Sequence, residues 1–247
     1  MNSSKKSILN SNFTYLAAFV LPVIMMMALY YTRGIFPWGN ECYLRSDMYH
    51  QYAPFFSELW HKIRNGESLT YSWNIGMGTN FTSLFAYYLA SPSNWFVALF
   101  PQKYTIEIMN AFIILKIAGS SLSLTYYLTK HNNNKHVIAA IFGMFYGMSG
   151  FIAAYSWNIM WLDCVILIPL IMLGLERLVN ENRCIFYCIT LGLCIFTNYY
   201  IAIMVCLSVV IYYVVLMIAY NGIKSPMQYV KKFINFCVYS LLAGGLG

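Results

Sequence analysis

Uncharged apolar runs, each about as long as a bilayer is thick, recur along this chain and decide its class. A helix rises about 1.5 Å per residue, so about 20 apolar residues cross a hydrocarbon core of about 30 Å. Phe13 to Tyr31 is such a run. Further spans are expected near Ile106–Leu128, Val137–Tyr155, Met160–Leu178, Cys184–Phe196 and Ala202–Tyr220, and a last run begins at Phe233. Between Arg183 and Lys224 no residue is charged. That is too long for one helix, so Asn198-Tyr199-Tyr200 reads as the hairpin between two. Charged residues are only 9% of the 247 and hydrophobic residues 60%, whereas a soluble domain carries about 25% charged. The expected fold class is all-α, a polytopic membrane helical bundle.

The basic start, with Lys5 and Lys6, could belong to a signal peptide. The run behind it is too long, and no small-residue cleavage site follows before Arg33. The whole chain, 1–247, reads as a membrane domain. Its last run stops at Gly247 without a polar flank, so a truncated N-terminal portion of a larger protein is expected.

Residues 34–104 break the pattern. They hold Glu41, Arg45, Asp47, Glu58, Lys62, Arg64 and Glu67, then a charge-free aromatic tract with Gly76, Gly78, Pro92 and Pro101. The apolar part, Phe81 to Phe100, is expected to be interfacial or re-entrant. Aromatics make up 18% of the chain, with 22 Tyr, which suits rings at the membrane–water boundary.

The formal charge of +7 does not read as a nucleic-acid patch, because the basic residues fall between apolar runs. Placing the N-terminus in the cytoplasm puts Lys5, Lys6, Lys130, Lys135, Arg177, Arg183, Lys224, Lys231 and Lys232 inside. The short outer turns at Ser156–Asn158 and Asn198–Tyr200 then hold no Lys or Arg. This is the positive-inside pattern, and it makes 34–104 the first extracytoplasmic loop. Six of seven Cys lie in apolar runs, which reads as packing. No Cys or His spacing fits a metal, and no cofactor is assigned.

Segment 46–64 carries the clearest chemical signal. Met48, Tyr52, Phe55, Leu59 and Ile63 follow helical spacing on one face, and Asp47, His50, Gln51, Glu58 and His61 fall on the other. That describes an amphipathic helix in the outer interface, its polar face toward an aqueous cleft. Asp47 or Ser46 could equally serve only as the helix cap. Lys116 and Asp163 lie inside spans, where a charge costs about 2.5–3.5 kcal/mol unless paired or solvated. They are candidates for a site or for a structural ion pair. Asn74 to Asn80 has the glycines and amides of an anion-holding loop or of a plain turn, and His131 and His136 read as solvated.

Several segments resemble one family in the same order along the chain. Asp47-Met48-Tyr49-His50-Gln51-Tyr52 with Pro54-Phe55, Gly76-Met77-Gly78-Thr79-Asn80-Phe81, and Tyr87-Tyr88 with Ser91-Pro92 resemble the start of bacterial YfhO-family membrane proteins. Asn158 to Asp163, Pro169, Leu173 to Leu178 and Thr197-Asn198-Tyr199-Tyr200 continue the resemblance. The resemblance implies a GT-C-like bundle that moves a sugar from a polyprenyl-phosphate donor to an envelope polymer of the teichoic or lipoteichoic acid kind. The reaction would take place on the outer face of the bacterial cytoplasmic membrane. It further implies Asp47 as the base. His50, Gln51, Lys116, Asn158, Trp161, Asp163, Asn198 and Tyr199 would then line the substrate cleft, with Lys116 facing the phosphate. Two other functions stay open: a transporter or lipid flippase built on Lys116 and Asp163, and a non-catalytic scaffold.

Overall fold

In the computed structural model, residues 2–133, 137–219 and 225–247 are described, with side chains from residue 12 onward. Lys135, His136, Tyr220 and Lys224, which entered the charge and span arguments above, lie outside them, as do the side chains of Lys5 and Lys6.

The described chain is almost entirely helical. Helix α1 (Asn2–Thr32) leads into a long loop, which holds α2 (Ala53–Asn65), a two-stranded hairpin (β1, Tyr71–Ser72; β2, Thr79–Asn80) and α3 (Phe81–Leu84). The bundle then continues with α4 (Thr105–His131), α5 (Ile138–Gly147), α6 (Gly150–Tyr155), α7 (Leu162–Glu181), α8 (Ile185–Thr197), α9 (Tyr199–Ala219) and α10 (Pro226–Leu246). Among the described residues, four stretches are long and apolar enough to cross a membrane: Asn12–Thr32, Gln102–His131, Ile138–Tyr155 and Tyr199–Ala219. Helix α8 is shorter, and α7 carries Asp163, Glu176, Arg177 and Glu181. Phe81 to Phe100 makes no continuous helix: a π-helical turn at Phe85–Leu89 and a 3-10 helix at Pro92–Leu99 follow α3.

Helix α4 is the central one. Of its most apolar stretch 72% is buried within the protein, against 28% or less for the other three. Small residues let its neighbours approach, as interhelical packing in lipid favours. A Cβ on Gly143 would lie 2.4 Å from the Ser121 carbonyl oxygen, and one on Gly147 2.7 Å from that of Ile117. Helix α5 therefore rests directly on the α4 backbone. Gly174 brings α7 equally close to Tyr187 of α8.

Two polar clusters fasten the bundle. Within it, Lys116 donates to Asp163 Oδ2 at 2.6 Å, to the Ile159 carbonyl at 3.2 Å and to Ser91 Oγ at 3.4 Å. An ammonium has three hydrogens, so each has an acceptor. Lys116 and Asp163 are 5% and 14% exposed, and their bond joins α4 to α7. At the basic end, one oxygen of Glu176 accepts from Tyr127, Tyr212 and His131, joining α4, α7 and α9. His131 is thus held by a carboxylate and not merely solvated.

Segment 46–64 also differs from its helical-wheel reading. Met48, Tyr52, Phe55, Phe56 and Leu59 are buried, packed in one core with residues of α4. Glu58, expected on the wet face, is buried as well, and so is Lys62. Glu58 accepts from Ser72 and Asn74, and Lys62 donates to the carbonyls of Ser68 and Tyr71. The hairpin folds over this i,i+4 pair, so the Asn74 amide is spent on the chain's own carboxylate.

Removing one partner of a buried pair leaves an uncompensated charge. Lys116→Met alone should destabilise the protein by about 3–5 kcal/mol, read as a lower thermal midpoint in detergent. Lys116→Met with Asp163→Leu should recover most of the loss, because no charge is then stranded.

Candidate functional site

The loop end of the bundle gathers most of the residues singled out from the sequence. Pro54, in the first turn of α2, lacks an N–H and so leaves the His50 carbonyl without its ordinary helical donor. The chain widens instead into a π-helical turn, Met48–Tyr52, in which the Ala53 N–H reaches back to the Met48 carbonyl. Such turns recur at functional sites. A second lies at Phe85–Leu89, and the two meet: the Tyr52 and Tyr88 rings are 5.4 Å apart.

Asp47 stands at the start of the first π turn. Its side chain makes no capping hydrogen bond and is exposed, so the cap role considered for it is not the one it fills. Gln51 hydrogen-bonds the Tyr88 hydroxyl. His50 is exposed, and its ring meets only Tyr49, edge-on at 5.3 Å.

The far wall comes from the turn between α6 and α7. Asn158 is 2% exposed, and its Oδ1 accepts a 3.0 Å hydrogen bond from the Tyr52 hydroxyl. That bond fixes the amide, turning Nδ2 away from Tyr52, and Nδ2 has no partner among the described residues. Trp161 Nε1 is likewise buried and unpartnered. Trp157 lies nearly parallel to Tyr52, with centroids 6.3 Å apart and planes at 10°. Trp161 stacks on Tyr200 at 6.1 Å and leans on Tyr155 at 5.9 Å. The result is a cluster of aromatic rings with the exposed Asp47 carboxylate near Tyr52 and two buried N–H donors that lack partners among the described residues. Unpaired buried donors cost about 1–3 kcal/mol each, and a ligand oxygen relieves that cost.

Tyr199 and Asn198 close the cleft. The Tyr199 ring meets Tyr87 edge-on at 5.6 Å. Asn198 is fully buried, donating to the Tyr87 carbonyl at 3.0 Å and accepting from the Ile201 N–H at 2.9 Å. Its amide is occupied at both ends, so it positions Tyr87 and caps α9. Lys116 and Asp163 lie behind the wall, their groups turned toward each other, Ile159 and Ser91.

Tyr52, Tyr87 and Tyr88 are the residues that sequence reasoning passed over as site members. Periodicity assigned Tyr52 to the apolar face, which is right for its ring and blind to its hydroxyl. The clustering of Tyr87-Tyr88 within the aromatic tract was the available signal. Burial raises the pKa of Tyr52, and the nearby Asp47 carboxylate adds to the rise. Burial also raises that of Tyr88, with Tyr87 and Asp47 contributing and the Gln51 hydrogen bond working against it. Both hydroxyls therefore stay protonated, as donation to Asn158 requires of Tyr52. Among the described residues, no three His, Cys, Asp or Glu side chains gather as a metal site.

The sequence model of a family described as bacterial membrane protein YfhO covers residues 17–247. No curated protein and no solved structure matches.

A raised tyrosine pKa stabilises the fold below the ordinary value of 10.0, and that stability is lost as pH climbs above it. Tyr52→Phe should cost about 1–3 kcal/mol at neutral pH by stranding Asn158 Oδ1. It should also flatten part of the alkaline fall in stability, checked by thermal unfolding across pH.

Proposed function

We propose that this chain, which belongs to the YfhO family of bacterial membrane proteins, is part of a membrane glycosyltransferase. Its reaction transfers a sugar from a polyprenyl-phosphate donor to an envelope polymer of the teichoic or lipoteichoic acid kind. The cleft opens on the extracytoplasmic face, with the N-terminus and the end bearing Lys130, Arg177 and Arg183 in the cytoplasm. The observation that carries this reading is the exposed Asp47 carboxylate near Tyr52, whose hydroxyl holds Asn158, together with the unpartnered N–H groups of Asn158 and Trp161.

The arrangement suits the chemistry. In glycosyl transfer a bond forms between the acceptor oxygen and the anomeric carbon, while the bond from that carbon to the lipid phosphate oxygen breaks. The acceptor hydroxyl loses its proton as the carbon gains positive charge, so a carboxylate beside it acts as base. Asp47 has that role. Asn158 Nδ2 and Trp161 Nε1 supply N–H groups to sugar or leaving-group oxygens, where preorganised donors count most. Gln51 holds Tyr88, Tyr52 holds Asn158, and Asn198 holds the Tyr87 segment. Tyr199 and Tyr200 offer ring faces and edges at the cleft mouth, and His50 is available to the acceptor at its rim. Lys116 and Asp163 brace the wall without reaching substrate. With all three ammonium hydrogens accepted, the geometry favours bracing over both the phosphate contact and the transport relay considered for Lys116.

Asp47→Asn in the full-length protein should lower polymer glycosylation in cells by about 100-fold or more at normal membrane abundance. Undiminished glycosylation at that abundance would remove Asp47 as the base.

A further inference from the structure

A cavity with Tyr43 and Ser156 in its lining opens beside the loop. It has a volume of about 210 Å³ and lies between α1, α4 and the α5–α6 junction. That junction shapes it: α5 ends at Gly147 and α6 begins at Gly150, so Met148 and Ser149 interrupt the span and leave a gap against α1.

The lining is divided between charge and hydrocarbon. Arg33, just past the end of α1, and Arg45, two residues before Asp47, border it. Neither has a carboxylate partner among the described residues, and Arg45 is instead held over the Tyr43 ring at 5.7 Å. Tyr30 also lines the cavity. It is 2% exposed and stacked on Tyr43 at 5.5 Å, and its hydroxyl has no hydrogen-bond partner among the described residues. Tyr43 spends its own hydroxyl on Ser156 at 2.6 Å. The remaining wall includes Met26, Leu29, Ile117 and Ile152, all apolar.

Two unpaired guanidiniums and a buried, unsatisfied hydroxyl at the mouth of an apolar slot fit an amphiphile with an anionic head. Guanidinium groups match phosphate oxygens bidentately and are less costly to desolvate than ammonium. The Tyr30 O–H donates to such an oxygen, and the apolar wall takes the first carbons of the chain. We propose that this cavity binds the phosphate head of a membrane lipid, with Arg33, Arg45 and Tyr30 as its ligands. On the glycosyltransferase reading, which this step rests on, the lipid is the carrier that leaves the sugar. Arg45 then stands between the departing phosphate and the Asp47 turn. A lipid phosphate and free inorganic phosphate share this head chemistry, and the slot favours the lipid.

The test is binding to the purified full-length protein, measured with a polyprenyl phosphate, the same polyprenol without phosphate, and inorganic phosphate. The polyprenyl phosphate should bind tightest, and Arg33→Gln with Arg45→Gln should weaken it by about 25-fold, at roughly fivefold per cation. Both side chains are exposed, so the variant should keep the wild-type thermal midpoint. Tyr30→Phe should weaken binding several-fold without affecting the polyprenol. Equal binding of phosphate and alcohol, or wild-type affinity in the double arginine variant, would overturn the site. Inorganic phosphate binding as tightly as the lipid would overturn the lipid assignment. Asp47→Asn should retain lipid-phosphate affinity, so failure of the base role and failure of this site are read separately.

Discussion

The bond between Lys116 and Asp163 organises the end of the molecule where the cleft lies. A lone ammonium at that depth is costly, about 2.5–3.5 kcal/mol on insertion scales, so its surroundings are forced to supply acceptors. They come from three separate places: Asp163 at the start of α7, the Ile159 carbonyl in the turn before it, and Ser91 just after the second π turn. One charge therefore clamps α4, the turn bearing Asn158 and Trp161, and the segment that follows Tyr87 and Tyr88. A single ammonium registers these segments against one another.

That clamp explains why the site is built from tyrosines and amides. Once the walls are fixed, single hydrogen bonds set the remaining orientations: Tyr52 on Asn158, Asn198 on the Tyr87 carbonyl, Tyr43 on Ser156. The bond from Tyr52 leaves Asn158 Nδ2 unsatisfied; Trp161 Nε1 also lacks a partner among the described residues, and the Asp47 carboxylate is exposed. Tyr43 and Ser156, bonded to each other, line the cavity of Arg33, Arg45 and Tyr30. In the proposed reaction the two compartments take the sugar and the lipid phosphate, with the Arg45–Asp47 segment at their border.

The bundle was legible in the sequence because lipid imposes one rule, that charge is absent where the chain crosses. Lys116 and Asp163 stood out by breaking it, although only the fold brings them together across 47 positions. The break between α5 and α6 left no trace in hydropathy, since Met148 and Ser149 are neutral. Helical spacing put Glu58 on a wet face, because a wheel cannot foresee a hairpin folding back over it. His131 looked solvated for the same reason: Glu176 is 45 positions away. Tyr52 hid behind its own ring. Local pattern reports which surface a side chain prefers, whereas the site depends on which distant atom a polar tip meets.

The account as a whole rests on the Asp47 turn facing away from the cytoplasm, opposite the end that carries Lys130 and Arg183. Labelling in intact cells with a membrane-impermeant thiol reagent measures this directly. It requires a full-length protein in which the exposed Cys42 is replaced by Ser and a single new thiol is introduced, His50→Cys or Asn133→Cys. The account predicts that the thiol at position 50 reacts in intact cells and the one at position 133 only after the membrane is opened. Reaction in the reverse order would contradict it.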